Sequence, residues 1–373
     1  MIGDESELVD GLSAWVRVES PTYEAAAVER MMALVEAEAR EGGIACERVP
    51  GRDGLAGCAV LRAGRSRDVP AILVLSHLDT VHPLGTIDRD LPLRVEGDRL
   101  YGPGVYDMKG GAFVALQAFK QVAASGASAL PLVFLFTSDE EIGSPTTRGI
   151  IEDLGREAAY VLVTEPARPG GKVVTSRKGV GRFEVSVEGR PSHSGSRHPD
   201  GRSAIREAAL QIGAIEGLTD YGRGITTNVG MISGGTAANV VPQHCRFSVD
   251  LRVDTVAEGD EFERRILALR PFGPDVAVTV TGGMNRPPYE KTAPIDALHD
   301  RARSIAGRLG QELDEVPRTG GGSDGNFTAA LGVPTLDGLG IDGDGAHTLH
   351  EHALVSSLQP RLALMRSLLS ELR

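Results

Sequence analysis

The chain has few cysteines: Cys46, Cys58 and Cys245 are the only three among 373 residues. They lie far apart and form no CxxC pair, so the sequence indicates neither a disulfide framework nor a metal site with cysteine ligands. Any metal ion would therefore be bound by histidine and carboxylate side chains.

The sequence also lacks an excess of positive charge and long apolar runs. The formal net charge is −12 and the isoelectric point is about 5.3, which disfavours binding to nucleic acid or to a membrane surface. No apolar run approaches the ~20 residues that a membrane span needs. The acidic start of the chain has no basic segment followed by an apolar one, so we expect no signal peptide and a cytoplasmic location.

The length suggests two domains, and the sequence pattern changes near Gly179. Before this point, residues 71–75, 132–136 and 160–163 form continuously apolar runs that are typical of buried parallel strands. Residues 5–42 have helical periodicity, and a further helix is predicted to begin near Gly110. This alternation of strands and helices predicts an α/β domain, and a similar texture returns after Pro287.

Residues 178–287 have a different texture, in which apolar and polar residues alternate along the predicted strands. The order of elements is β-α-β-β-α-β, which is the ferredoxin-like pattern. We therefore predict an α+β domain inserted into an α/β domain that is formed by residues 1–177 and 288–373.

Acidic and histidine residues follow each of the three apolar runs. His77 and Asp79 follow the first run, Glu140 and Glu141 the second, and Glu165 the third. Ligand sites of open α/β sheets lie outside the carboxyl ends of the strands, so these side chains should converge. Taken singly, each would be read as structural or as part of a solvated turn. Together they would repel one another unless a cation were bound, and imidazole with carboxylate is a normal zinc ligand set.

The segment GPGVYDMKGG, residues 102–111, leaves two alternatives open. A glycine-rich turn that leads into a helix can bind phosphate, but the segment has neither the Walker spacing nor the GxGxxG spacing. The alternative is that its glycines let the backbone fold tightly around Asp107.

These motifs resemble the family of two-zinc peptidases that contains glutamate carboxypeptidase, aminoacylase, acetylornithine deacetylase and succinyl-diaminopimelate desuccinylase. The resemblance is carried, in the family's order between about residues 76 and 350, by SHLDTV, GPGVYDMKGG, SDEEIGS, TEP, GRPSHSG, GGTAANVVP, RTGGGSD and GAHT. The RTGGGSD segment is especially similar to bacterial glutamate carboxypeptidase. The resemblance implies a three-layer α/β catalytic domain with a mainly parallel central sheet, and an inserted lid or dimerisation domain at residues 178–287.

The resemblance also implies a binuclear metal site with two Zn²⁺ ions per subunit, although such ligands also accept Co²⁺ or Mn²⁺. His77 and Glu165 would bind one ion, Glu141 and His347 the other, and Asp107 would bridge both. A cis peptide bond is expected between Asp107 and Met108. His350 and His352 lie close by in sequence, but only His347 occupies the family's position.

Further roles follow from the resemblance. Asp79 would orient His77 through its second ring nitrogen. A water between two cations becomes acidic, and a neighbouring carboxylate that is not a ligand can take its proton and pass it to the leaving nitrogen. The family assigns this general-base role to Glu140. His193 would steady the developing oxyanion from across a dimer interface, although without the resemblance it reads as a histidine of a surface loop.

Further features of the sequence bear on substrate recognition. Arg286 aligns with the arginine that holds the substrate's α-carboxylate, and an arginine can grip a carboxylate with two parallel hydrogen bonds. Asn239 and Gly321 would add polar contacts. On the residues alone, the alternative interpretation of Arg286 is a solvated charge at a domain hinge. Tyr106 departs from the family pattern and would either narrow the pocket or donate a hydrogen bond.

We therefore predict a homodimeric two-zinc hydrolase, joined through the lid domain, that acts on small peptides or N-acyl amino acids. It would cleave the amide bond next to a C-terminal amino acid with a free α-carboxylate. One alternative is a biosynthetic deacylase of the acetylornithine or succinyl-diaminopimelate type. An alternative of another class is an inactive metal- or peptide-binding protein.

Overall fold

The computed structural model describes residues 4–64 and 69–373; residues 1–3, part of the acidic start of the chain, lie outside this range. The α-helices in this part of the chain are α1 (Glu5–Val16), α2 (Ala25–Glu41), α3 (Thr86–Arg89), α4 (Gly110–Ser125), α5 (Arg148–Arg156), α6 (Ala204–Glu216), α7 (Val256–Leu267), α8 (Ala293–Arg308), α9 (Gly325–Ala330) and α10 (Leu358–Glu371).

The strands are β1 (Ala45–Val49), β2 (Cys58–Ala63), β3 (Ala71–His77), β4 (Arg94–Glu96), β5 (Arg99–Tyr101), β6 (Leu132–Thr137), β7 (Ala158–Val163), β8 (Val173–Val174), β9 (Gly179–Glu188), β10 (Ser192–His193), β11 (Thr226–Gly234), β12 (Val240–Val241), β13 (His244–Val253), β14 (Ala277–Arg286), β15 (Glu315–Val316), β16 (Thr335–Leu336), β17 (Gly343–Asp344) and β18 (His352–Leu354).

The chain divides into two compact units. Unit 1 comprises the residues up to Ser176, Lys291–Thr319 and Ser323–Arg373, and unit 2 comprises Arg177–Glu290 and Gly320–Gly322. No helix in the described part of the chain combines the length and the apolar character that crossing a bilayer requires.

The central sheet of unit 1 has the order β1-β2-β6-β3-β7-β16. Strands β6, β3, β7 and β16 are parallel, and β2 and β1 continue the sheet in antiparallel pairing at one edge. The prediction of a mainly parallel sheet is therefore confirmed.

Helices cover both faces of this sheet, because successive side chains of a strand point to opposite faces. Ile72 and Val74 of β3 share a core with Phe113 of α4. Leu73 and Leu75 of the same strand belong to a second core, which contains residues of α5 and α9. The result is the predicted three-layer α/β arrangement.

The helical prediction for residues 5–42 was wrong at its centre. Helix α1 ends at Val16 and α2 begins at Ala25. The intervening segment pairs instead with Thr80, whose backbone N–H donates to the carbonyl of Ser20 at 2.9 Å and whose carbonyl accepts from Thr22 N–H at 3.2 Å. This long-range pairing overrides the local helical periodicity.

Unit 2 contains a sheet with the order β11-β13-β9-β14, in which every neighbouring pair is antiparallel. In chain order with α6 and α7 this is a β-α-β-β-α-β unit, the ferredoxin-like arrangement. The Thr255 side chain accepts from Glu258 N–H, and the Glu258 side chain accepts from Thr255 N–H, so a capping box begins α7. Near the two ends of the unit, Arg177 N–H donates to Tyr289 O at 2.9 Å and Tyr289 N–H donates to Arg177 O at 3.0 Å.

Candidate metal centre

Three parallel strands bring the first group of candidate ligands together. His77 is the last residue of β3 and pairs with Thr137, the last residue of β6, so it lies within the strand and not beyond it. Glu140 and Glu141 follow β6, and Glu165 follows β7. Because β6, β3 and β7 are parallel neighbours, their carboxyl ends meet at one edge of the sheet.

Asp107 lies in a tight turn before α4, and the adjacent glycines are necessary for that turn. Gly104 has a φ of 70°, which favours glycine. A Cβ on Gly111 would lie 2.2 Å from the carbonyl oxygen of Thr164, and one on Gly110 would lie 2.0 Å from Cδ1 of Ile341. Of the two alternatives for this segment, these contacts favour a backbone that folds tightly around Asp107 and disfavour a phosphate-binding loop. The expected cis peptide bond between Asp107 and Met108 is confirmed.

The two carboxylate oxygens of Asp107 face different histidines. Oδ1 lies 3.3 Å from Nε2 of His77, and this nitrogen is also 3.8 Å from Oε1 of Glu165. Oδ2 lies 3.4 Å from Nε2 of His347, which is 3.1 Å from Oε2 of Glu141. Asp107 therefore belongs to two groups of ligand atoms, one on each side of its carboxylate.

These separations fit metal ions bonded to both groups. Tetrahedral zinc with bonds of about 2.0–2.1 Å holds its ligand atoms about 3.4 Å apart, close to the distances between the two histidines and Asp107. Oδ1 of Asp107 is also buried without a hydrogen-bond partner among the described residues. A buried polar atom without such a partner is unfavourable, and a bound cation would satisfy it.

The protonation of the metal-free protein points to the same position. Burial lowers the pKa of His77, but contacts with Asp107 and Asp79 outweigh it and hold that pKa well above its ordinary value. Contacts with Asp107 and Glu141 raise the pKa of His347 to about 11. Burial raises the pKa of Asp107, but its contacts with His347 and His77 bring it below its usual range. The raised pKa values of both histidines reflect the negative charge that is concentrated where a cation would bind.

His77 is oriented through its second nitrogen. Nδ1 lies 2.9 Å from the backbone oxygen of Asp79 and 3.5 Å from the carboxylate oxygen Oδ1 of the same residue. A backbone oxygen can only accept, so Nδ1 carries a proton and donates it. When the imidazole is neutral, this leaves the lone pair of Nε2 free to bind a metal ion.

The carboxylate of Asp79 also holds the segment that carries the two glutamates. Oδ1 accepts from Glu140 N–H and Oδ2 from Glu141 N–H, both at 3.2 Å, and Oδ2 also accepts from the hydroxyl of Thr22 at 2.8 Å. Glu140 belongs to a group with His77 and Glu165 in which one ligand atom of each lies within 4.8 Å of the others. Asp79 therefore links the orientation of His77 to the position of both glutamates.

His347 reaches this site from a loop after β17. Its side chain is 53% exposed, and its φ of 63° is left-handed, which is uncommon for a residue other than glycine. Strained backbone of this kind is concentrated at functional sites. His350, the sequence alternative, has an exposed side chain. Its backbone N–H donates to the Thr348 hydroxyl at 3.2 Å, and its carbonyl oxygen lies 3.0 Å from Nδ1 of His352.

A third group, formed by Asp296, His299 and Glu315, also has metal-ligating side chains close together. Nζ of Lys291 lies 2.7 Å from the Asp296 carboxylate and 2.6 Å from that of Glu315. An ammonium group already contacts both carboxylates, so we do not assign this group as a second metal centre.

Two further predicted residues lie together in unit 2. His193 is exposed, and its Nδ1 accepts hydrogen bonds of 3.1 Å from the backbone N–H groups of Gly195 and Ser196. The carbonyl oxygen of Asn239 accepts from Ser194 N–H at 3.0 Å. In a neutral imidazole only one nitrogen can accept, so the proton of His193 is on Nε2.

Arg286 and Gly321 form another group in unit 2. The Arg286 side chain is buried at the end of β14, and a Cβ on Gly322 would lie only 2.7 Å from its Cδ. The carbonyl oxygen of Gly321 accepts from Nη1 of Arg177 at 3.1 Å. Because Arg286 is buried, the interpretation as a solvated surface charge is wrong.

The order and spacing of these residues agree with a known family of hydrolases. A family model described as "Peptidase family M20/M25/M40" matches residues 73–371. The chain belongs to this peptidase family. It is therefore a metallopeptidase of the M20 type, and the family prediction from the sequence motifs is confirmed.

Relatives of this M20 peptidase have more than one activity. Carboxypeptidase G2 of Pseudomonas sp. (strain RS-16) is 28% identical over 379 residues, which cover 99% of this chain and 90% of that protein. Succinyl-diaminopimelate desuccinylase of Delftia acidovorans is also 28% identical, over 89% of this chain and 90% of that protein. A tripeptidase structure from Staphylococcus aureus has a TM-score of 0.77 at 20% identity, covers 99% of both chains and shows a shared fold.

Sequence reasoning missed several contacts of the M20 site. Thr22 bonds to Asp79 from 57 positions away, and no local signal marks it. The hydroxyl of Tyr106 donates to the backbone oxygen of Ala167 at 2.6 Å, and the side chain is buried. Of the two roles considered for Tyr106, the structure therefore shows a hydrogen bond, made to the protein's own backbone two residues after Glu165.

Proposed function

We propose that this protein binds two divalent metal ions, with Zn²⁺ as the expected metal, and hydrolyses the amide bond next to a C-terminal amino acid with a free α-carboxylate. The observation that carries the proposal is the geometry of Asp107, whose two oxygens face different histidines. His77, Asp107 and Glu165 would bind one ion, and Asp107, Glu141 and His347 the other.

Two cations bound there would acidify a water molecule and polarise the scissile carbonyl. Glu140 would be the general base, taking a proton from the attacking water and delivering it to the leaving nitrogen. Its position beside His77 and Glu165 supports this role. Asp79 would support it indirectly, because it holds the backbone of Glu140 and orients His77.

His193 would donate a hydrogen bond to the developing oxyanion. Because Nδ1 accepts two backbone N–H groups, its neutral imidazole presents Nε2–H as a donor. Removing such a donor typically lowers kcat by roughly 10²–10³. The proposed effect of His193→Ala is therefore a fall in kcat, with the metal content unchanged.

Arg286 would hold the substrate's α-carboxylate by two parallel hydrogen bonds, with Asn239 and Gly321 as further polar contacts. The similarity to carboxypeptidase G2 over 99% of the chain favours a glutamate carboxypeptidase-like or N-acyl amino acid hydrolase activity. The equal identity to succinyl-diaminopimelate desuccinylase keeps a biosynthetic deacylase as the second candidate.

Hydrolysis of a panel by the metal-loaded protein separates these two functions. The panel contains N-acyl amino acids, dipeptides with C-terminal glutamate or aspartate, N-acetylornithine and N-succinyl-diaminopimelate, with Glu140→Ala as the inactive control. Preference for C-terminal acidic residues, with a raised KM in Arg286→Ala, supports the carboxypeptidase. Turnover confined to acylated ornithine or diaminopimelate assigns the protein to the deacylases.

Two other expectations are also part of this proposal. The homodimer through residues 178–287 is supported by strand β11, an edge strand of the unit 2 sheet, on which Met231 and Ile232 are 68% and 56% exposed. Unpaired strand edges are ready templates for pairing with another chain. The cytoplasmic location stays a prediction, which fractionation of the source cells would test.

A further inference from the structure

Glu351 has one of the most heavily engaged carboxylates beside the candidate metal centre, and the proposed chemistry does not use it. The side chain is 1% exposed. Oε1 accepts from the backbone N–H groups of Tyr106 and Asp107, both at 2.9 Å. Oε2 accepts from Gly104 N–H at 2.9 Å and lies 2.7 Å from Nε2 of His82.

These bonds connect two segments that carry proposed metal ligands. Three of the four donors belong to the turn of residues 104–107, which ends at Asp107. Glu351 itself lies four residues after His347, in a loop closed by bonds from the Thr348 hydroxyl to Gly345 O at 2.7 Å and from Glu351 N–H to Thr348 O at 3.4 Å. One buried side chain therefore fixes the turn of Asp107 against the loop of His347.

The geometry also excludes other roles for this carboxylate. Each oxygen already has two polar neighbours, so neither is available to bind a metal ion or to accept a proton from water. Hydrogen bonds that involve a charged group are roughly twice as strong as neutral ones, so the turn is held firmly. The backbone amide of Asp107 is one of the groups held, which leaves its side chain with little freedom.

We infer that Glu351 is a positioning residue, which holds Asp107 so that its two oxygens face His77 and His347 at the same time. This inference rests on the proposed function, in which Asp107 bridges two metal ions. Partners of metal ligands typically contribute 10–100-fold to metal affinity or activity. A loss of metal affinity of this size in a protein that still folds would distinguish a positioning residue from a purely structural one.

The decisive variant is Glu351→Gln. The amide keeps the shape of the side chain but replaces one oxygen with NH₂. In either orientation of the amide, this NH₂ group, itself a donor, faces two hydrogen-bond donors of the protein. We expect Co²⁺ affinity, measured by calorimetry on the metal-free full-length protein, to fall roughly 10–100-fold. The visible spectrum of bound Co²⁺ should also change, because that spectrum reports the ligand geometry.

Glu207→Gln is the matched control. Glu207 is also buried, at 3% exposure, and its carboxylate accepts from Phe272 N–H at 2.8 Å, Gly273 N–H at 2.9 Å and the Gln211 side chain at 2.8 Å. All four residues belong to unit 2. Its variant should lower the melting temperature, as we also expect of Glu351→Gln, but leave Co²⁺ affinity and spectrum unchanged.

The outcomes distinguish a failure of the positioning role of Glu351 from a failure of the proposed function. If Asp107→Asn weakens Co²⁺ binding and Glu351→Gln does not, the positioning role of Glu351 is overturned and the metal site stands. If Asp107→Asn binds two Co²⁺ ions with unchanged affinity, the proposed bridging ligand fails, and the inference with it. If Glu351→Gln does not fold, Glu351→Asp replaces it, because aspartate keeps both acceptor oxygens on a shorter side chain. Wild-type Co²⁺ affinity and spectrum in Glu351→Asp would overturn the positioning role, and weakened Co²⁺ binding would support it.

Discussion

At the scale of single residues, Asp107 and its neighbours divide their tasks by small differences in position. Glu140 and Glu141 are adjacent in sequence, and the backbone N–H groups of both donate to the carboxylate of Asp79. An oxygen of Glu141 lies 3.1 Å from Nε2 of His347, and Glu140 has a ligand atom within 4.8 Å of those of His77 and Glu165. Adjacent glutamates can therefore serve different purposes, provided that their side chains diverge.

Glu140→Gln and Glu141→Gln should accordingly differ in kind. The first removes the proposed general base, so kcat should fall by roughly 10²–10⁴ while two metal ions remain bound. The second removes a proposed metal ligand, so the bound metal should drop towards one ion per chain. Metal analysis by mass spectrometry after gel filtration, with kcat on the best substrate, checks both. Loss of metal from Glu140→Gln would contradict the assignment.

His347 and His350 provide a similar pair. His347→Ala removes a nitrogen that lies 3.4 Å from Asp107 and 3.1 Å from Glu141, so we expect at least a tenfold loss of affinity for one of the two metal ions. His350→Ala alters an exposed side chain and should bind metal as the wild type does. Calorimetric titration of both metal-free variants tests this; equal affinities would refute the choice of His347.

At the scale of elements, the first residues of helix α4 contact the segment that directly follows β7 and contains Glu165. This contact is close because Gly111 has no side chain: a Cβ would lie 2.2 Å from the oxygen of Thr164 and 2.9 Å from Cα of Gly340. The backbone cannot yield as a flexible side chain would. The start of α4, and the turn of Asp107 before it, thus depend on the absence of a side chain at Gly111.

Gly111→Ala should therefore destabilise the protein by about 1–3 kcal/mol, as overpacked sites usually do, and should also weaken metal binding. Gly149→Ala is the control, because nothing lies within 4 Å of a Cβ built there in α5. That change should stabilise the helix by up to about 1 kcal/mol and leave metal affinity unchanged. Urea unfolding of the metal-free proteins gives both values, and equal effects would contradict the steric argument.

Strand β2 supplies a probe of folding through Cys58. Burial, with the charges of Asp139 and Asp324, raises the pKa of this thiol from 9.0 to about 12. At pH 8 the thiolate fraction is then on the order of 10⁻⁴. A thiol reagent should label Cys58 in the folded protein far more slowly than in urea, and labelling at equal rates would contradict the burial.

The same shift of Cys58 has a defined effect on stability. A folded-state pKa above the unfolded value means that the folded protein holds its proton longer. This contribution is fully present below about pH 9 and is lost as pH rises towards 12. The free energy of unfolding of the wild type minus that of Cys58→Ala should thus be constant below pH 9 and fall above it.

Local pattern was sufficient for the elements that are continuously apolar or strictly alternating. The runs 71–75, 132–136 and 160–163 lie within β3, β6 and β7, although each strand is longer at one end than predicted. The break between α1 and α2 was not predictable, because it is caused by pairing with Thr80, about sixty residues away. For the same reason, no local feature revealed the bonds from Thr22 to Asp79 or from the turn of Asp107 to Glu351.

At the scale of the whole molecule, the proposed dimer makes a prediction about strand β11. If two copies pair through this edge, a charge in place of one of its exposed apolar side chains should prevent association. Ile232→Lys should convert the dimer to a monomer, as judged by sedimentation equilibrium. Val95→Lys is the control, because Val95 is 52% exposed on β4, an edge strand of unit 1. A monomeric wild type, or a dimeric Ile232→Lys, would contradict the proposal.

The paired bonds between Arg177 and Tyr289 also bear on how the chain folds. They join the beginning and the end of the inserted segment, so the folded insert is a closed unit whose two exits lie side by side. The entropy lost on closing a loop grows with the number of free residues in it. Once residues 177–290 have folded, the loop that separates the first segment of unit 1 from the segment that begins at Lys291 shrinks, in effect, to a few residues. Unit 1 can then assemble almost as though its sequence were continuous, and an insert that folds first would speed the assembly of the metal site.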